Sequence, residues 1–255
     1  MTTSTEDTDQ GFMSHLVELR SRLVRASAAV VIVFLVLSPF MRQIFNWVSR
    51  PMIDALPQGS KLLATGVITP FLVPLKVTLF TAFCLASPYV LYQVWAFIAP
   101  GLYQHEKRLA VPVIVSSVAM FFGGMAYCYF VVFGVIFRYV AEFAPDNVNV
   151  SPDIEQYFDF VLRLFIAFGL AFEVPIVVLM LVRFGVVTVE RLRKLRPYII
   201  VGAFVVAAIV TPPDAMSMLL LAVPLWLLFE LGVVLASFIG GRRPDAESGA
   251  DAGGG

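Results

Sequence analysis

Two glutamates, each followed by a cluster of cations, are the residues of this chain best placed to do chemistry. Glu18 lies in the stretch Met13 to Arg25, with Arg20, Arg22 and Arg25 behind it. Glu106 lies in the run Phe97 to Arg108, with Lys107 and Arg108 behind it. A carboxylate takes a guanidinium through two parallel hydrogen bonds, a geometry that selects arginine over lysine. Two carboxylates on one face of a membrane, each beside aromatic or leucine side chains, are therefore a candidate receptor for two arginines. The ordinary reading of Glu18 is a helix-surface pair with Arg22, worth about 0.2 to 0.5 kcal/mol, in a flank whose basic residues only set membrane orientation.

A third carboxylate, Glu173, sits in the apolar run Ala171-Phe172-Glu173-Val174-Pro175 with no Lys or Arg within helical reach. Arg163 is nearly three turns away and has Asp159 as a closer partner. A carboxyl at such a depth costs about 2.5 to 3.5 kcal/mol on insertion scales, which marks it as functional, protonated and hydrogen-bonded. The competing account is a structural bond to a neighbouring span or to the carbonyl freed by Pro175. Glu230, nearer the end of the last apolar run, reads as structural. No His-Glu-x-x-His, Gly-x-Ser-x-Gly or phosphate loop occurs, and the histidines, His15 and His105, stand in polar flanks, so no catalytic residue, cofactor or metal site is expected. Cys84 and Cys128 lie inside apolar runs and pack as small hydrophobes.

The elements that must carry these residues are membrane spans. Hydrophobic residues make up 59% of the 255 and charged ones 14%, with a mean hydropathy of +0.87, far too apolar for one soluble domain. Lys+Arg and Asp+Glu balance at 18 each, so nothing points to nucleic acid. Apolar runs place spans near 24 to 41, 71 to 98, 109 to 137, 158 to 182, 198 to 210 and 216 to 239. The expected fold is an all-α polytopic membrane protein with six helices, the fifth and sixth short and forming a hairpin, and both termini on one side. Residues 1–240 form a single transmembrane domain, and 241–255 a disordered tail by composition. Of the 18 Lys and Arg, twelve fall on the side of the termini, which the positive-inside rule makes cytoplasmic. No small-residue cleavage site follows the first apolar run, so that run is expected to stay as its own targeting signal.

Locally, Met13 to Arg25 has the period of an amphipathic helix with Ser14 as its N-cap. The outer loop from Arg42 to Pro70 allows only short helices broken by turns. Pro74, Pro88 and Pro112 predict tilted or bent second and third spans. The fifth run, about 13 residues at 1.5 Å each, reaches only about 20 Å and ends at the rigid turn Thr211-Pro212-Pro213-Asp214, so a bilayer beside it should be thinned.

Several of these segments also occur together, in order, in a known family. His15 to Leu23, Pro51, Ser87-Pro88, Tyr92 to Leu102, His105 to Arg108, Ala167-Phe168-Gly169, Phe172 to Pro175, Arg196-Pro197-Tyr198 and Thr211 to Asp214 closely resemble TatC, the multispanning subunit of the twin-arginine protein translocase. The resemblance implies six helices in a concave, glove-like bundle in the cytoplasmic (inner) membrane of a prokaryote, working in a multimeric complex driven by the proton-motive force. It implies that Glu18 and Glu106 bind the twin-arginine signal peptides of folded cargo, with Arg20, Arg22 and Phe97 around them. It implies partner or transport roles for Glu173, Thr211, Asp214 and Pro51, and partners that are TatA-like and TatB-like single-span proteins. Met218 departs from the more polar contact found after the turn in some relatives. A different class, a proton-coupled small-solute transporter using Glu173, is disfavoured by the absence of repeat symmetry.

Overall fold

In a computed structural model the described residues are 3–54, 63–98, 107–136, 153–211 and 215–240. Glu106, His105, Asp214 and the tail 241–255, for which the sequence carries expectations, lie outside them. Among the described residues the chain is helical, with one isolated bridge between Leu63 and Asp153. Five helices among the described residues are long and apolar enough to cross a membrane, and a sixth apolar helix there is shorter.

The chain divides into two compact units, residues 1–169 and 170–255. In the first, α1 (Thr3–Leu37) runs through a 3-10 turn at Ser38–Phe40 into α2 (Met41–Asp54). Ser14 is therefore helix interior and not a cap. The residues before it include no proline, and once a helix is nucleated each further turn is added cheaply. Pro39 stands in the 3-10 turn, where its ring ends the first helix. α1 packs along α3 (Thr69–Ile98), which carries Pro74 and Pro88 inside it. The Thr78 hydroxyl donates to the Pro74 carbonyl at 2.7 Å. α4 (Lys107–Tyr127) continues through a π-helical turn, Cys128–Val132, and α5 (Ile154–Arg183) follows.

The core of this unit is aromatic. Phe80 and Phe133 both pack on Phe165, and Phe83 on Phe121. Gly169 makes one close approach necessary: a Cβ there would stand 2.6 Å from the Phe121 ring, so α5 meets that side chain only through a glycine. Outside this core, Val31, Ile32 and Leu35 of α1 are exposed, as residues facing hydrocarbon should be.

In the second unit, α5 ends at Gly185, whose φ of 69° is the left-handed conformation that favours glycine after a helix. The Gly185 and Val186 amides donate back to Val182 and Leu181. Thr188 caps the short α6 (Val189–Lys194) by accepting from the Arg191 amide. α7 (Arg196–Val210) and α8 (Ala215–Gly240) then pack on each other. Val178, Leu192, Phe229, Val233 and Ala236 form the core here.

α7 is short as expected, 15 residues or roughly 22 Å. α8 is not: it runs 26 residues, roughly 39 Å. Its leucine-rich sequence contains one proline, Pro224, which the helix accommodates without ending. The shortness expected of both members of the hairpin belongs to α7 alone.

Candidate functional site

Polar side chains collect at two places along α3. Near its C-terminal end, Glu18 on α1 is part-exposed at 38% and Arg22 at 23%. Arg22 Nε and NH2 both donate to Glu18 Oε1, at 2.9 and 2.6 Å. The third nitrogen, NH1, points to Gln93 Oε1 of α3 at 3.4 Å, and Gln93 is only 4% exposed. The i, i+4 spacing brings the ion pair together and the α1–α3 contact adds the amide. Two donors converge on one carboxylate oxygen, and Oε2 accepts from no donor among the described residues. Arg20 is exposed and Phe97 half-buried on the same stretches of α1 and α3. Close by, the buried Trp95 indole donates to Ser117 Oγ of α4 at 2.7 Å, fixing that end of α3.

The second place lies roughly 25 Å along α3, at a rise of about 1.5 Å per residue. Lys76 Nζ donates to Glu155 Oε1 at 2.9 Å and to both Asp159 oxygens at 2.8 and 3.1 Å. The buried Thr69 hydroxyl donates to Glu155 Oε2 at 3.1 Å. Asp153 caps α5: its Oδ1 accepts from the Glu155 and Gln156 amides at 2.9 and 3.1 Å. Its Oδ2 accepts from the Thr65 hydroxyl, and the Ile154 amide donates to the Leu63 carbonyl. These bonds hold the Asp153 carboxyl below the usual carboxylate range, the Thr65 hydroxyl contributing most.

This cluster corrects one sequence expectation and exposes an omission. Asp159 pairs with Lys76 on another helix and not with Arg163, which is exposed. The local i, i+4 spacing gave way to a long-range contact that puts two carboxylates of α5, one turn apart, against one ammonium. Lys76 stands alone in an apolar run, where no local spacing reveals a partner. The cap was readable: Asp153-Ile154-Glu155-Gln156 has the form of a capping box.

The remaining predicted residues are placed individually. Glu173 is buried, at 8% exposure. Glu230 accepts from Arg196 NH2 at 2.7 Å, an ion pair between α8 and the start of α7. Thr211 is buried and its hydroxyl donates to the Ala207 carbonyl at 2.8 Å, closing the end of α7. Pro51 lies in the last turn of α2.

Residues 14–224 match the family model described as Sec-independent protein translocase protein (TatC). The chain belongs to the TatC family. The Sec-independent protein translocase protein TatC of Azotobacter chroococcum mcd 1 is 52% identical over 242 residues, 95% of each chain. TatC of Escherichia coli K12 is 50% identical, covering 96% of this chain and 94% of its own. A crystal structure of the twin-arginine translocase receptor TatC superposes with a TM-score of 0.78 at 36% identity, over 88% of this chain and 98% of that one. TatC membership makes the chain a membrane-embedded translocase component and not an enzyme. The solute-transporter alternative finds no support in these matches.

Proposed function

We propose that this TatC-family protein receives twin-arginine signal peptides of folded proteins at the cytoplasmic face, through Glu18 and Glu106, and works with single-span TatA-like and TatB-like partners in proton-motive-force-driven export. The observation that carries the reading is Glu18: a part-exposed carboxylate at the end of a span, with Oε2 taking no donor among the described residues. Guanidinium recognition needs such an acceptor, set where a peptide can reach it. The excess of Lys and Arg in the flanks on that side supports a cytoplasmic orientation for both termini, with α7 as the short fifth of six spans.

Further along, the turn from Thr211 to Asp214 is the proposed seat of a single-span partner, and Pro51 belongs to the cap on the opposite surface. Glu173 is the proposed polar contact for a partner helix during transport. In export assays Glu173→Gln should then retain much activity, while Glu173→Ala binds signal peptide normally and exports poorly.

The decisive test for the receptor role is retention of a synthetic twin-arginine signal peptide by the purified protein. The twin-lysine version should be lost in the same wash. Equal retention of both peptides would overturn the reading.

A further inference from the structure

Glu18 already holds a guanidinium. Arg22 presents Nε and NH2 to Oε1 at 2.9 and 2.6 Å, two donors on one oxygen where an incoming arginine's parallel fork would place one donor on each. While that pair is closed its charges largely cancel, and the carboxylate attracts a second cation much less strongly. Arg22 has a second acceptor within reach in Gln93 Oε1, at 3.4 Å from NH1. That length is slack for an N–H···O bond, so the amide holds Arg22 loosely now and could hold it better if the guanidinium moved toward α3. Gln93 is buried at 4% exposure, and an acceptor there that lost its donor would carry a desolvation cost.

We propose that Arg22 is an internal competitor for Glu18 that is transferred to Gln93 when a signal peptide binds, and that this exchange is what makes the site demand arginine. The proposal rests on Glu18 being the signal-binding carboxylate. To take both carboxylate oxygens in a parallel fork, a ligand must replace the two Arg22 N–H donors that converge on Oε1. A peptide guanidinium does so with its own fork, while a lysine ammonium is a compact point charge that cannot match the planar pair. Selectivity then arises partly from the receptor's own arginine, which a weaker ligand fails to dislodge.

The test uses the purified full-length protein and two labelled synthetic peptides, a twin-arginine signal sequence and its twin-lysine counterpart, with Kd measured for each. Arg22→Gln should tighten twin-arginine binding by about two- to fivefold, the range of a part-exposed ion pair, and tighten twin-lysine binding by more, so that the ratio of the two narrows. Arg22→Lys keeps the charge without the fork and should fall between wild type and Arg22→Gln. Gln93→Leu should weaken twin-arginine binding in the wild-type background and have no further effect in Arg22→Gln, the coupling that a shared partner requires. Weaker twin-arginine binding in Arg22→Gln, with the thermal midpoint unchanged, would overturn the proposal, as would an unaltered ratio. If Arg22→Gln fails to fold, the same two outcomes in Arg22→Lys decide it. Glu18→Ala separates the levels: unchanged binding there removes Glu18 from the receptor site altogether, whereas weakened binding beside a weakened Arg22→Gln removes only the competitor.

Discussion

The two polar clusters along α3 use the same kinds of residue in opposite ways. At the Lys76 end, one ammonium meets two carboxylates, a buried threonine hydroxyl takes the remaining Glu155 oxygen, and Asp153 accepts on both of its oxygens. At the Glu18 end, one carboxylate oxygen receives two donors and the arginine's third nitrogen reaches only 3.4 Å toward an amide. The first arrangement joins helices from distant parts of the sequence. The second lies mostly within one helix, and Glu18 Oε2 takes no donor among the described residues. Saturated hydrogen bonding fixes structure, and under the proposed function the open Glu18 oxygen is the acceptor for a peptide guanidinium.

The largest effect that could break this contrast is on ligand affinity. Glu18→Ala should weaken twin-arginine peptide binding by about 1.5 to 3 kcal/mol, the scale of a hydrogen bond to a charged group. Glu106→Ala should do the same through the second arginine. Thermal unfolding of Glu18→Ala in detergent should show a loss of no more than about 0.5 kcal/mol, because only a helix-surface pair disappears. A large stability loss with intact binding would make the Glu18 end a structural joint like the other.

The reverse pattern is expected at Lys76. Lys76→Met leaves Glu155 and Asp159 facing each other one turn apart on α5 without the ammonium between them, and should lower stability by about 1 kcal/mol. Peptide affinity should stay at the wild-type value, since this end lies roughly 25 Å along α3 from Glu18. Removing one carboxylate as well, in Lys76→Met with Asp159→Asn, should recover part of the loss by relieving the repulsion. No recovery in the double variant would mean that the cluster contributes through packing alone.

Why one cluster was legible in the sequence and the other was not follows from range. The Glu18–Arg22 pair is a local event, set by four residues of one helix, and spacing predicts it. Span positions were legible because hydrocarbon thickness demands long apolar runs: the expected second and third spans fall within two residues of the helices found. Lys76 with Glu155 and Asp159 depends on how α3 meets α5, and no local period carries that information. Spacing offers Asp159 a local partner in Arg163, and the contact between helices overrides it. The apolar run 216 to 239 also matches the extent of α8, and only the expectation that this span is short like α7 fails. Gln93 is illegible as a partner in the sequence, because an amide in a span gives no sign of its donor until α1 is laid beside α3.

The smallest expected effect concerns the Asp153 cap and sharpens the contrast by pH. The Thr65 hydroxyl and the Glu155 and Gln156 amides donate to the ionised carboxyl, which lowers its pKa in the folded chain below the ordinary value of 3.8. Between those two values the unfolded chain binds more protons than the folded one, so stability rises with pH across that window. The contribution of Asp153 is fully present above its ordinary value and is lost as pH falls through the depressed one. Hydrogen exchange of the first turn of α5, corrected for intrinsic rates, should therefore speed up below about pH 4. Asp153→Asn keeps an acceptor for the cap but has nothing to titrate, so its protection should be lower near neutral pH and level across the acid range. If wild type and Asp153→Asn lose protection in parallel on acidification, the joint between the Leu63 segment and α5 owes nothing to the charge on Asp153, and hydrogen bonding by Thr65 and the Leu63 carbonyl alone must hold it.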